Sequence, residues 1–247
     1  MDYSISRDPD DSASGAARKA ALRQTLMAAR HSASCSDADA DAQLAAGLRA
    51  RLRARLSACL EHLAPRCVAF YWPIHDEVDL REIIAQWLAG NAQQSSPENA
   101  QSYPQQNMMQ DLTQNARQGV ARTPHRQRMA ALPVIVGKQA PMAFHRWHAD
   151  MPMQEGAFRI AVPAQMEVVT PDLLLVPCVG YDAQCYRLGY GGGFYDRTLA
   201  AMSPRPATLG IALSCTGIDA LPIEPHDIPL DGILTEDRAL GSVATVF

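Results

Sequence analysis

Four glycines fall within five residues in the run Gly189-Tyr190-Gly191-Gly192-Gly193, and a helix-forming stretch follows. Glycine lets backbone N–H groups come close to an anion, and a helix N-terminus adds partial positive charge, so this segment can cradle phosphate. Arg187, just upstream, is a permanent cation suited to phosphate. Asp196, just downstream, is a hard oxygen ligand for Mg2+. The spacing is not that of a P-loop, and the third glycine of the dinucleotide fingerprint is missing. Taken alone, a glycine cluster is also compatible with a plain flexible turn. Lysine is scarce: Lys19 and Lys138 are the only two. An ammonium group at a phosphate must therefore come from one of them. Lys19 and Arg23 lie four apart, so they project from one face of a helix.

The elements that would position these groups follow from periodicity. Residues 16–30 are rich in helix formers, with Leu22 and Leu26 on one stripe. Residues 38–63 predict a longer helix with leucines at 44, 48, 52, 56, 60 and 63 on one face. The arginines at 49, 51, 53 and 55 read as its solvated surface, with a nucleic-acid patch as the alternative. Arg66–Trp72 predicts a buried strand. Asp76-Glu77-Val78-Asp79 is expected to open a helix that Gly90 closes, its acids in the first turn. Strands are expected at 130–136, 141–147, 171–179, 207–213 and within 227–235, and a helix at 193–202. Residues 150–170 read as irregular. Pro171–Val179 is the strongest strand, a continuous apolar run of the kind found inside a parallel sheet. Alternation of strands and helices predicts a three-layer α/β/α fold with a mostly parallel central sheet and an N-terminal helical pair. In such sheets ligands sit beyond the carboxyl ends of strands, where the glycine run lies.

Composition limits the remaining classes. The chain has 247 residues with a net charge of −4, so nothing draws it as a whole to nucleic acid or to anionic membranes. The longest apolar run, around Leu173–Val179, is far short of the roughly 20 residues that cross a bilayer. The first 15 residues are polar and acidic and are expected to be disordered, with no secretory signal. Residues 16–247 read as one domain, interrupted by a Gln/Asn-rich insertion at about 91–128 that is too polar to fold by itself. The six cysteines form no CxxC pair and read as reduced thiols of a cytoplasmic protein. His145 and His148 lie three apart, but no third ligand accompanies them.

The longer pattern is more specific. Asp172-Leu-Leu-Leu-Val-Pro-Cys-Val-Gly-Tyr-Asp182, followed by Arg187-Leu-Gly-Tyr-Gly-Gly-Gly-Phe-Tyr-Asp-Arg197, resembles the signature of the 5-formyltetrahydrofolate cyclo-ligase family. Lys19-Ala-Ala-Leu-Arg23 resembles that family's N-terminal helix, and Tyr71–Asp79 its strand with an acidic element. Ala131–Val134, Pro141–Phe144 and Leu230–Glu236 resemble further elements in the same order. The resemblance implies an enzyme that uses ATP and Mg2+ to convert 5-formyltetrahydrofolate to 5,10-methenyltetrahydrofolate, releasing ADP and phosphate. It implies that Lys19 and Arg23 bind ATP phosphates. It implies that Arg187, Leu188, Gly189, Tyr190, Gly191, Gly192, Gly193, Phe194 and Tyr195 line the nucleotide. Of these, Arg187 and Tyr195 would be catalytic, while Tyr190, Gly191, Gly192, Gly193 and Phe194 would also face the folate. Trp72 and Glu77 would contact the pterin, by stacking and by accepting its N–H donors. Asp196 and Asp231 would hold Mg2+. The implied partner is a small molecule, with no nucleic acid or membrane, and a monomer is expected.

The chain departs from the family pattern at Gly192, where many members carry lysine as G-x-G-K-G. Lys138 and Arg197 are the candidates to replace that charge. The departure keeps open a second reading, a non-catalytic reduced-folate or nucleotide-binding protein on the same fold. The enzyme reading predicts that Asp196→Asn lowers turnover and leaves the fold intact, because it removes a ligand and no core volume.

Overall fold

The computed structural model describes residues 9–34, 39–94 and 127–246. The Gln/Asn-rich insertion lies almost wholly outside these residues, as do residues 1–8 and Cys35. The helices are α1 (Pro9–Ser34), α2 (Asp39–Leu63), α3 (Arg81–Gln94) and α4 (Phe194–Ala201). One sheet is built from β1 (Cys67–Ala69), β2 (Met129–Val134), β3 (Ala143–Trp147), β6 (Leu173–Pro177), β9 (Ala207–Ile211), β10 (Gly232–Leu234) and β11 (Ala239–Gly241). Its order is β11-β10-β9-β6-β1-β2-β3. The five inner strands are parallel, and β3 and β11 pair antiparallel at the two edges. Two hairpins stand apart: β4 (Met153–Glu155) with β5 (Ala161–Pro163), and β7 (Gly180–Tyr181) with β8 (Arg187–Leu188).

The central strand shows why the apolar run is unbroken. Successive side chains of a strand face opposite ways. Leu173 and Leu175 pack with Leu52, Leu56, Leu60 and Ile84 of α2 and α3. Leu174 and Val176 pack with Leu199 of α4 and with Leu230 and Ile233. Both faces are therefore covered, as expected for a three-layer α/β/α arrangement, and each fully buried leucine contributes about 2 kcal/mol. A smaller core joins α1, through Leu26, to Val179, Leu188 and Leu221 near the β7–β8 hairpin. No described helix is long and apolar enough to cross a membrane.

Several local expectations are corrected. The helix expected at Asp76 begins at Arg81, because His75 and Asp76 sit at φ 46° and 62°, outside helical backbone. Asp79 accepts the Arg81 N–H at 2.9 Å and so starts the helix from its cap. The helix also passes Gly90 and ends at Gln94. α1 begins at Pro9 and not Ala16, with proline in the first turn where its missing N–H is harmless. The stretch 150–170 contains the β4–β5 hairpin. The five described cysteines are free.

Candidate active site

The glycine run leaves the β7–β8 hairpin, beyond the carboxyl end of β6, and enters α4 directly. Gly191 and Gly193 have φ of 94° and 63°, which L side chains rarely adopt. Gly193 is the N-cap of α4 and offers no side chain to its first amides. Among the described residues, the backbone amides of Tyr190, Gly191, Gly192 and Gly193 find no acceptor. Unpaired amides at a helix N-terminus form an anion cradle.

Helix α1 clamps this loop. The Nε of Arg23 donates to the Gly189 carbonyl at 2.7 Å. The Arg23 guanidinium also lies against Gly191, 3.3 Å from where a Cβ would stand. Two turns on, Nη2 of Arg30 donates to the Tyr190 hydroxyl at 2.8 Å. That hydroxyl donates in turn to Oε1 of Glu77 at 2.7 Å. Glu77 belongs to a tight turn in which its own N–H donates to the Ile74 carbonyl, and the Ile74 N–H donates to its Oε2 at 2.9 Å. The two central residues of that turn are the left-handed His75 and Asp76, a strain of about 1–3 kcal/mol each that presents Glu77 to the loop. Burial pushes the Glu77 carboxyl up to about 7, against its hydrogen bonds from Tyr190 and Ile74 and the Arg30 charge. Burial likewise raises the Tyr195 phenol well above its ordinary range.

Other expected residues have different surroundings. The Arg187 side chain is almost fully covered; its Nη2 pairs with Asp196 at 2.9 Å and its Nη1 donates to the Ile228 carbonyl at 2.9 Å. It staples β8 to α4 and is not a free phosphate cation. Asp196 accepts the Arg187 Nη2 and the Ile228 N–H through Oδ1, and its Oδ2 has no partner among the described residues. One open carboxylate oxygen beside an anion cradle fits Mg2+, which takes one or two carboxylates plus phosphate oxygens and water. Asp231 has partners of its own: its Oδ2 accepts from the Thr208 amide and hydroxyl at the amino end of β9. Lys19 is paired with Asp227 at 2.7 Å and Glu224 at 3.0 Å, so its charge is shared with two carboxylates. Trp72 is half-buried, with the Arg81 guanidinium 4.5 Å from its ring centre.

At the position lacking the family lysine, Arg197 lies against the loop. Its Nη2 donates to the Gly192 carbonyl at 2.7 Å and to the Lys138 carbonyl at 3.1 Å. From the sequence it is one of two candidates for that charge, with Lys138. Arg30 was missed, although it lies 11 residues from Lys19, three helical turns along the same face. Phe158 was missed with no signal to find it. It is an exposed aromatic in the β4–β5 loop whose ring meets Phe194 edge-on at 6.1 Å. The α2 arginines are used within the fold: Arg49 donates to the Ser34 carbonyl, Arg51 pairs with Asp237 and Arg53 with Glu82.

Comparisons with known proteins show the fold and the family. The solved structure of Aquifex aeolicus 5,10-methenyltetrahydrofolate synthetase superposes with a TM-score of 0.61 at 25% identity, over 90% of this chain and 92% of that one. The synthetase from Mycoplasma pneumoniae, at 22% identity and a TM-score of 0.57, shares the fold over 88% of this chain and 98% of its own. The Haemophilus influenzae protein named 5-formyltetrahydrofolate cyclo-ligase is 38% identical over 99 residues, 38% of this chain and 53% of that protein. The Escherichia coli K12 protein of the same name is 41% identical over 68 residues, 27% of this chain and 37% of that protein. The chain thus spans about half the length of the first of these relatives and less of the second. The model of one family matches residues 15–236, from the arginine-bearing helix through the glycine loop to the closing strand, and the chain belongs to that family, the 5-formyltetrahydrofolate cyclo-ligases.

Proposed function

We propose that this chain is an ATP-dependent 5-formyltetrahydrofolate cyclo-ligase. The observation that carries the reading is the row of amides at residues 190–193 that find no acceptor among the described residues, in a loop whose Tyr190 hydroxyl donates to the half-buried Glu77 carboxylate. An anion and a ligand rich in N–H donors would meet across one short loop.

The reaction needs this adjacency. A formamide carbon is a poor electrophile, and its oxygen is a poor leaving group. Transfer of the γ-phosphoryl of ATP to the formyl oxygen releases ADP and makes phosphate the leaving group. N10 of the same folate then attacks the formyl carbon, the C–O bond breaks, and phosphate departs with the N10 proton as the methenyl ring closes. Such a transfer asks the protein mainly for positioning and charge neutralisation. The loop amides and Arg23 hold the phosphates. Lys19 reaches them once it leaves Glu224 and Asp227. Arg197 supplies positive charge beside Gly192, and Arg187 orients Asp196. Mg2+ held by Asp196 would screen the phosphate charge. Glu77 accepts N–H donors of the pterin, and Phe158 and Phe194 offer ring faces to the folate. The enzyme acts on a small molecule, in the cytoplasm, as a monomer.

The test is an absorbance assay for the methenyl product from 5-formyltetrahydrofolate. Product is expected only with both ATP and a divalent cation. Tight binding of either ligand with no product would establish the non-catalytic reading in its place.

A further inference from the structure

We infer that Arg30 is a positioning residue: through Tyr190 it holds Glu77 as an acceptor-only carboxylate and ties the folate side of the site to the glycine loop. The inference rests on the reading of Glu77 as the pterin contact.

Hydrogen-bond accounting carries the argument. Arginine has donors and no acceptor, so the Arg30 Nη2 can only donate to the Tyr190 oxygen. Tyr190 has one proton, and its bond to Oε1 directs that proton at Glu77. The Ile74 N–H donates to Oε2. Both carboxyl oxygens thus act as acceptors, an arrangement satisfied by the ionised form. Burial favours the neutral acid, so the direction of the chain has to be imposed from its far end. Arg30 is suited to that. It is 3% exposed and fixed in α1, and its Nε has no hydrogen-bond partner, so the Tyr190 contact is its one hydrogen bond among the described residues. A donor bond into the phenol oxygen also strengthens the phenol as a donor.

The other groups facing Glu77 do not supply this charge. Tyr71 and Cys178, just past the carboxyl ends of β1 and β6, and Tyr195 of α4 interact with it, and burial holds all three in their neutral forms. His75 and Asp76, its neighbours in the turn, are exposed. Arg30 is the cation acting on Glu77. The same helix holds Gly189 through Arg23, so consecutive loop residues answer to two arginines of α1. A shift of α1 on nucleotide binding would therefore reach Glu77 directly.

The experiment is carboxyl 13C NMR of protein labelled at glutamate Cδ, with Glu77→Gln to assign the resonance. Arg30→Met is expected to raise the Glu77 midpoint by about one pH unit, with Arg30→Lys restoring part of the shift. The acidic limb of kcat/KM for 5-formyltetrahydrofolate is expected to move with it. Tyr190→Phe breaks the chain from the exposed loop and is expected to shift the midpoint the same way, so it decides the matter if Arg30→Met does not fold. An unchanged midpoint in a folded variant of either kind overturns the inference. The titration needs no ligand, so it still judges Arg30 if the wild-type chain converts no folate.

Discussion

Replacing Asp196 tests the difference between a ligand and a structural counter-ion. The sequence alone treats Asp196 as a metal ligand whose loss leaves the fold intact. In the structure its partner Arg187 has a side chain only 5% exposed, and Asp196 itself is 19% exposed. Removing one partner of a buried pair costs about 3–5 kcal/mol, because the remaining charge has no compensation. Asp196→Ala should fall in that range. Asp196→Asn keeps an oxygen for Arg187 and the Ile228 N–H and loses only the charge, so about 2 kcal/mol is expected. For a chain of this size those values lower the melting temperature by roughly 10 °C and 5 °C. The double variant Arg187→Met/Asp196→Leu should be more stable than Asp196→Ala, because no buried charge is stranded. Urea unfolding of the four proteins measures the series, and turnover per folded molecule is read against Mg2+ concentration alongside. If Asp196→Ala unfolds within 1 kcal/mol of wild type, the ion-pair reasoning is refuted. If turnover of the folded fraction is unchanged at every Mg2+ concentration, the ligand reading of Asp196 fails.

Further expectations follow from single contacts. Gly191→Ala places a Cβ at φ 94° and 3.3 Å from the Arg23 guanidinium, and about 1–3 kcal/mol of strain should weaken MgATP binding roughly 5- to 150-fold in calorimetry, with no change opposing the cradle. Glu224→Gln removes one of the two carboxylates on Lys19, so nucleotide affinity should rise a few-fold; an equal or lower affinity would show that Lys19 does not serve phosphate. Phe158→Ala should raise KM for the folate about tenfold and leave that for ATP alone, since truncating a stacked aromatic loses roughly 1–2 kcal/mol. In the wild type, Glu77 takes up its proton as pH falls through about 7, so kcat/KM for the folate should be level above that pH and decline on the acid side. A profile level down to pH 5 would contradict the role given to Glu77.

The layers, the parallel sheet and the position of the glycine loop were legible in the chain itself. Leu173–Val176 is apolar at every position because both faces of an inner parallel strand are covered, and glycines recur where φ must be positive, at 191 and 193. These are local demands, and local demands leave marks in residue type and spacing. The partnerships within the site left no such marks. Nothing near Lys19 in the chain announces Glu224 and Asp227, and nothing near Tyr190 announces Glu77 or Arg30, which lie more than 100 positions away. Asp76-Glu77 reads as the start of a helix, yet the two hydrogen bonds between Ile74 and Glu77 close a turn in which His75 and Asp76 are left-handed. Asp196 and Asp231 are both carboxylates of the expected kind, yet one pairs with an arginine side chain only 5% exposed and the other accepts from a threonine at the amino end of β9. Side-chain chemistry and backbone preference belong to the chain; which charge meets which, and how deeply it is withdrawn from water, is settled only when distant segments pack together.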